Sequence, residues 1–99
     1  MEIKQFINGN ELTIALEGEL NSSTATELDD FIANALNNVT SLIFDFEKLT
    51  YLSSAGLRVL LIANRLMSKK GSMVIRHANP LVLDILEMTG FTNVLTVEN

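Results

Sequence analysis

Between Ser41 and Lys70 the chain changes its hydrophobic period once, and that change constrains the fold more than any other feature. Ser41-Leu42-Ile43-Phe44-Asp45-Phe46 is a short apolar run without alternation, as expected of a central parallel strand covered on both faces. A short connection follows. From about Ser54 to Lys70, Leu57, Val59, Leu60, Leu61, Ile62, Ala63, Leu66 and Met67 occupy most of a helical circumference, which predicts a largely buried helix. Arg58, Arg65, Lys69 and Lys70 form its polar edge, and Gly71 ends it.

The flanking segments extend this pattern. Residues 2–7 and 11–17 are expected to be strands joined at Asn8-Gly9-Asn10, since Asn-Gly between extended segments is a strong hairpin signal. Leu12, Ile14 and Leu16 alternate with more polar neighbours. The first strand alternates less cleanly, as an edge strand does. A helix follows, with a capping box expected from Thr24 to Glu27, and Asn21, Ser22 and Ser23 as competing caps. Asp29 and Asp30 are expected early in it, where the dipole favours them. Ala25, Leu28, Ile32, Ala35, Leu36 and Val39 give it one apolar stripe.

Ser72–Arg76 is the next expected strand. Asn79-Pro80 opens a further helix, with Asn as N-cap and Pro in the first turn. Val82, Ile85, Leu86 and Thr89 share one face of it, and Gly90-Phe91 closes it. Val94–Val97 is a last short strand. The order β-β-α-β-α-β-α-β predicts an α/β fold, a mostly parallel mixed sheet with an N-terminal hairpin, as one domain over residues 1–99.

Composition limits the function. Seven basic against twelve acidic side chains give a net charge of −5, which argues against binding nucleic acid through its phosphates. No apolar run approaches the roughly 20 residues that span a bilayer, so no membrane insertion is expected and a soluble, cytoplasmic protein is. Without cysteine there is no thiol nucleophile or thiolate ligand. No acid and base pair, activated nucleophile or phosphate-cradling glycine loop supports a small enzyme, and no cofactor or metal is expected. Asp45 is expected to bond its own turn. His77, the only histidine, is expected to be a loop residue.

In such sheets, sites lie outside the carboxyl ends of strands. Two segments meet that description, Ser53-Ser54-Ala55-Gly56 and Leu20-Asn21-Ser22-Ser23, and they are expected to share one surface. A helix start carries unpartnered N–H groups and the positive end of the dipole. A phosphate on Ser54 would gain roughly 0.3–1 kcal/mol there and add about −1.5 to −2 charges. Capping alone accounts for a serine at this position equally simply. Arg58, one turn on, is either a partner for that phosphate or for an acidic protein, or an ordinary exposed arginine.

Three segments together resemble a STAS domain, the module of anti-sigma factor antagonists. They are Gly18-Glu19-Leu20, Asp45-Phe46, and Tyr51-Leu52-Ser53-Ser54-Ala55-Gly56-Leu57, supported by Asn79-Pro80 and Leu86-Glu87-Met88-Thr89-Gly90-Phe91. The resemblance implies a switch in which Ser54, or alternatively Ser53, is phosphorylated by a serine kinase of the histidine-kinase-like ATPase fold. That kinase is also the anti-sigma factor. It is bound by the unphosphorylated antagonist, which frees the sigma factor, and a PP2C-type phosphatase restores the antagonist. Partner contacts are expected from Asn21, Ser22, Ser23, Ser53, Ser54, Gly56, Leu57 and Arg58. The family often has aspartates where this chain has Asn21 and Ser53. A STAS module also suits an alternative, docking without phosphorylation in a stressosome-like or lipid-transport assembly.

Overall fold

The computed structural model describes residues 1–98, so the last residue of the expected domain lies outside them. Strands β1 (Glu2–Asn8) and β2 (Glu11–Leu20) form the hairpin, with Asn8 paired to Glu11 across a two-residue turn. Gly9 takes a φ of 62°, open to glycine at little cost. Helix α1 (Ser22–Ala35), β3 (Ser41–Asp45), β4 (Leu49–Leu52), α2 (Ser54–Ser68), β5 (Ser72–Arg76), α3 (Pro80–Met88), a 3₁₀ turn (Phe91–Asn93) and β6 (Thr96–Glu98) follow.

The sheet runs β1-β2-β3-β5-β6, with only β1 antiparallel. Each crossover from β2 to β3, β5 and β6 moves in one direction, so right-handed connections put all three helices on one face. The core agrees. Leu12, Ile14, Leu16, Leu42, Phe44, Met73 and Ile75 from that face join Leu28 and Ile32 of α1, Leu60 and Met67 of α2, and Val82 and Leu86 of α3 in one buried cluster.

Among the described residues the opposite face has no helix, which corrects the expectation of a central strand covered on both sides. Phe6, Thr13, Ile43, Val74 and Thr96 line up across it in register. Ile43 is 7% exposed there yet lies outside the core cluster, shielded by its neighbours on the sheet.

The fold contains one strand more than expected. Residues Leu49–Leu52, read as connection, form β4, parallel to the end of β2. β2 accordingly continues to Leu20 through a register shift between Gly18 and Glu19, with Gly18 at a φ of 108°. A residue with a Cβ would be strained at that bend. The last strand is Thr96–Glu98 rather than residues 94–97.

Four local expectations also change. The capping box of α1 joins Asn21 to Thr24, since Asn21 is the residue whose extended backbone (φ −112°, ψ −171°) lets its side chain turn onto the helix. Asp29 and Asp30 therefore sit in mid-helix, and the first turn has no acidic residue. In α2, Ile62 and Leu66 are exposed, because the helix is covered on its inner side only. The helix also ends at Ser68, with Lys69 as its C-cap, rather than running to Lys70 and ending at Gly71, because the chain tightens into a turn in which the Lys70 and Gly71 amides both donate to the Met67 carbonyl, at 3.0 Å and 2.8 Å.

Candidate functional site

The site is built where β2 and β4 end side by side. Leu20 and Leu52 are register partners, both buried, and each is followed by a polar N-cap and then an exposed serine opening a helix. The Ser53 amide donates to the Leu20 carbonyl at 2.9 Å, fixing the two helix starts against each other. The two segments expected to share a surface are thus brought together by a strand pair that the sequence reading missed.

The two caps differ in detail. Asn21 Oδ1 accepts from the Ser23 and Thr24 amides, each at 3.0 Å, and Thr24 Oγ1 accepts from the Asn21 amide at 2.8 Å. Ser53 Oγ accepts from the Gly56 amide at 3.2 Å. Its hydroxyl is half-buried and occupied in holding the helix, whereas Ser54 is exposed at the first helical position. That distinction separates the two candidate serines by geometry. Asn and Ser are both strong helix caps, near-equal to Asp, so each holds its helix start as well as a carboxylate would.

Of the eight residues expected to meet a partner, Asn21, Ser22, Ser23, Ser53, Ser54 and Arg58 reach the surface. Gly56 and Leu57 do not, a correction with a packing cause. A Cβ on Gly56 would lie 2.6 Å from Leu20 Cγ and 3.0 Å from Leu52 Cδ1, so glycine is what lets α2 settle onto the two strand ends. Leu57 is 4% exposed and belongs to the core. Both residues seat the surface from below.

Between α1 and α2, Ser22, Ala25, Thr26 and Asp29 face Ala55, Arg58 and Val59 across a shallow groove of about 160 Å³. None of the three helices carries an acidic residue in its first turn, although the chain is acidic overall. The positive ends of α1 and α2 are therefore not neutralised by their own side chains, which suits an anionic group added nearby.

A second cluster lies at the ends of β3 and β5. Pairing of Asp45 with Arg76 brings His77 Nδ1 to 3.1 Å from Asp45 Oδ1, which also accepts from the Glu47 amide at 3.0 Å. Asp45 does bond its own turn. His77, at a φ of 61°, gains a carboxylate neighbour that sequence distance concealed. With Glu47 the three donor atoms lie within 4.8 Å of one another, the one grouping among the described residues with the spacing of a cation ligand set.

Residues 3–97 match the protein family described as Mlab, STAS domain. BtrV of Bordetella bronchiseptica, named as an anti-sigma factor antagonist, is 34% identical over 90 residues, spanning 89% of this chain and 78% of that protein. Among solved structures, an anti-sigma factor antagonist from Mycobacterium paratuberculosis superposes with a TM-score of 0.88 at 18% identity, over 97% of this chain and 83% of that one. The anti-sigma factor antagonist SpoIIAA in its unphosphorylated form gives 0.78 at 20% identity, over 99% and 88%. The phosphorylated form of SpoIIAA, a Bacillus cell fate determinant, gives 0.75 at 20% identity, over 99% and 92%. At these identities the solved structures carry the fold.

Proposed function

The chain belongs to the STAS domain family of anti-sigma factor antagonists, and from that premise we propose that it is a protein-binding switch written by phosphorylation of Ser54. Unphosphorylated, it binds an anti-sigma factor that is also a serine kinase, of the histidine-kinase-like ATPase fold, and so releases a sigma factor. Phosphate on Ser54 ends that binding, and a PP2C-type phosphatase restores it. The chain acts by occupying its partner rather than by catalysis, in the cytoplasm where the sigma factor works.

One observation carries this reading. Ser54 is the exposed first residue of α2, while the neighbouring Ser53 hydroxyl is engaged by the Gly56 amide. A kinase can reach Ser54 without undoing the cap. The added phosphate of about −1.5 to −2 charges lies at a helix start that tolerates it and on a surface that a partner must cover. Binding is lost because the partner would have to bury that charge uncompensated.

The test is phosphopeptide mapping of the purified protein and its Ser54→Ala variant after incubation with host extract and Mg-ATP. Phosphate on Ser54 of the wild type supports the switch. An unmodified wild type beside a modified positive control favours a constitutive docking module instead, and phosphate on Ser53 would overturn the choice of serine.

A further inference from the structure

We propose that the edge strand β1 pairs antiparallel with β1 of a second copy of this chain, giving a weak homodimer with one continuous sheet. At one end of the strand order lies β6, three residues long; at the other lies β1, seven residues long and exposed along almost all of its length. A long open edge is a template for pairing, and proteins blunt it with charge, proline, a bulge or a covering element. Among the described residues β1 has no proline, no shift in its pairing with β2 and no strand on its outer side. Its one lysine is drawn back onto its own chain, with Lys4 Nζ 3.0 Å from Glu17 and 3.9 Å from Glu2. Phe6 and Ile7, on opposite faces of the strand, are 60% and 72% exposed.

The second copy is the occupant because β1 is complementary to itself. Asn8 and Glu11 close a two-residue turn, so they form a hydrogen-bonded pair and the bonding alternates back along the strand. Glu2, Lys4, Phe6 and Asn8 direct their backbone groups to β2, while Ile3, Gln5 and Ile7 direct theirs outward. One antiparallel register uses all seven residues. It sets a two-fold axis at Gln5, with Gln5 opposite Gln5 and Ile3 opposite Ile7 of the second copy, and every outward N–H and C=O then meets a counterpart. On the helix-bearing face Ile3 and Ile7 cover one another beside the groove lined by Phe31 and Ala35. On the open face the Lys4 ammonium stands opposite the ring of Phe6, an attractive pairing, and Glu2 stands opposite Asn8. A shift of two residues one way sets Lys4 against Lys4, and the other way leaves Glu2 and Ile3 without partners. A shift of one sets outward backbone groups against inward ones.

Such a joint is small, and each copy carries a charge of −5, so the dimer is reversible with a Kd on the order of 100 μM. The two β2 strands run in opposite directions across it. The two Ser54 turns therefore lie at opposite ends of the joined sheet, and one dimer offers two separate partner surfaces.

Sedimentation equilibrium of the purified chain from about 10 μM to about 1 mM should show a reversible monomer and dimer. Phe6→Lys, which opposes Lys4, should weaken association about tenfold or more, whereas Phe6→Glu, which complements Lys4, should preserve or tighten it. Since the chain has no cysteine, Gln5→Cys puts one thiol in each copy at the two-fold axis, with Cα atoms about 5.5 Å apart, and mild oxidation should trap a disulfide dimer. Asn8→Cys places its two thiols about 20 Å apart in this register and should cross-link far more slowly. Circular dichroism confirms that each variant is folded. A chain that stays monomeric up to about 1 mM overturns the proposal. So does a dimer that Phe6→Lys leaves unchanged, or cross-linking of Gln5→Cys no faster than that of Asn8→Cys.

Discussion

The Ser53 amide donates to the Leu20 carbonyl at 2.9 Å, and through that bond the residue that caps α2 is held to the last residue of β2, one position before the cap of α1. That bond ties the two helix starts to one another. The two serines of the candidate surface rise from a strand pair and two capped turns, with Gly56 packed directly beneath.

Replacing Gly56 with alanine tests that packing. The new Cβ would press on Leu20 and Leu52, both buried, and a crowded core typically loses about 1–3 kcal/mol. Alanine recovers about 1 kcal/mol of helix propensity, so the net loss in urea unfolding is expected to be about 0–2 kcal/mol. Gly71→Ala should be worse, because its Cβ would meet the Thr40 backbone carbonyl rather than a movable side chain. Equal stability of Gly71→Ala and wild type would show that the α2 to β5 connection can relax.

The caps separate folding from signalling. Ser53→Ala and Asn21→Ala should each cost about 1 kcal/mol, whereas Ser53→Asp and Asn21→Asp should unfold with the wild type or above it. Denaturant midpoints check this. A large loss in either aspartate variant would mean that the side chain does more than cap.

Ser54→Ala should leave the unfolding stability within about 0.5 kcal/mol of wild type, since the side chain is exposed and makes no hydrogen bond among the described residues. Ser54→Asp should fold equally well and lose affinity for the partner kinase in a pull-down or titration. If Ser54→Asp binds unchanged, charge at this position is not the signal.

On the open sheet face, Lys4 Nζ lies 3.0 Å from Glu17 Oε2. The hydrogen bond and charge of Lys4 hold the Glu17 carboxyl below its ordinary range, while Glu17 raises Lys4. Because the folded pKa of Glu17 is depressed, its contribution to stability is complete above the ordinary carboxylate pKa and disappears as pH falls through the folded value. For Lys4, whose pKa is raised, the contribution is complete below the ordinary lysine pKa and disappears as pH rises through the folded one. In an NMR titration, Lys4→Gln should move the Glu17 pKa upward. An unmoved Glu17 would rule out the pair as its cause.

Much of this fold was legible because it is written in local pattern. Asn8-Gly9 marked the hairpin, Asn79-Pro80 the start of α3, and Gly90, at a φ of 78°, its end. β5 was read to the residue, Ser72–Arg76, because its ends carry turn signals. By contrast, Thr24 was taken as a cap because it has a glutamate three residues on, a test that several adjacent polar residues pass. Only the backbone, extended at Asn21 and helical from Ser22, decides among them.

The sequence by itself determined the class of fold, the order of most elements and the serine turn, since periodicity, capping chemistry and turn residues act over a few positions. Tertiary structure decided the rest. Leu49–Leu52 is a strand only because Leu20 lies beside Leu52, 32 residues earlier in the chain. Gly56 is packed closely only because those leucines pair at the strand ends beneath it, and His77 reaches Asp45 only because β3 and β5 are neighbours. Strand pairing and side-chain burial depend on what arrives from far along the chain, and no local preference records that.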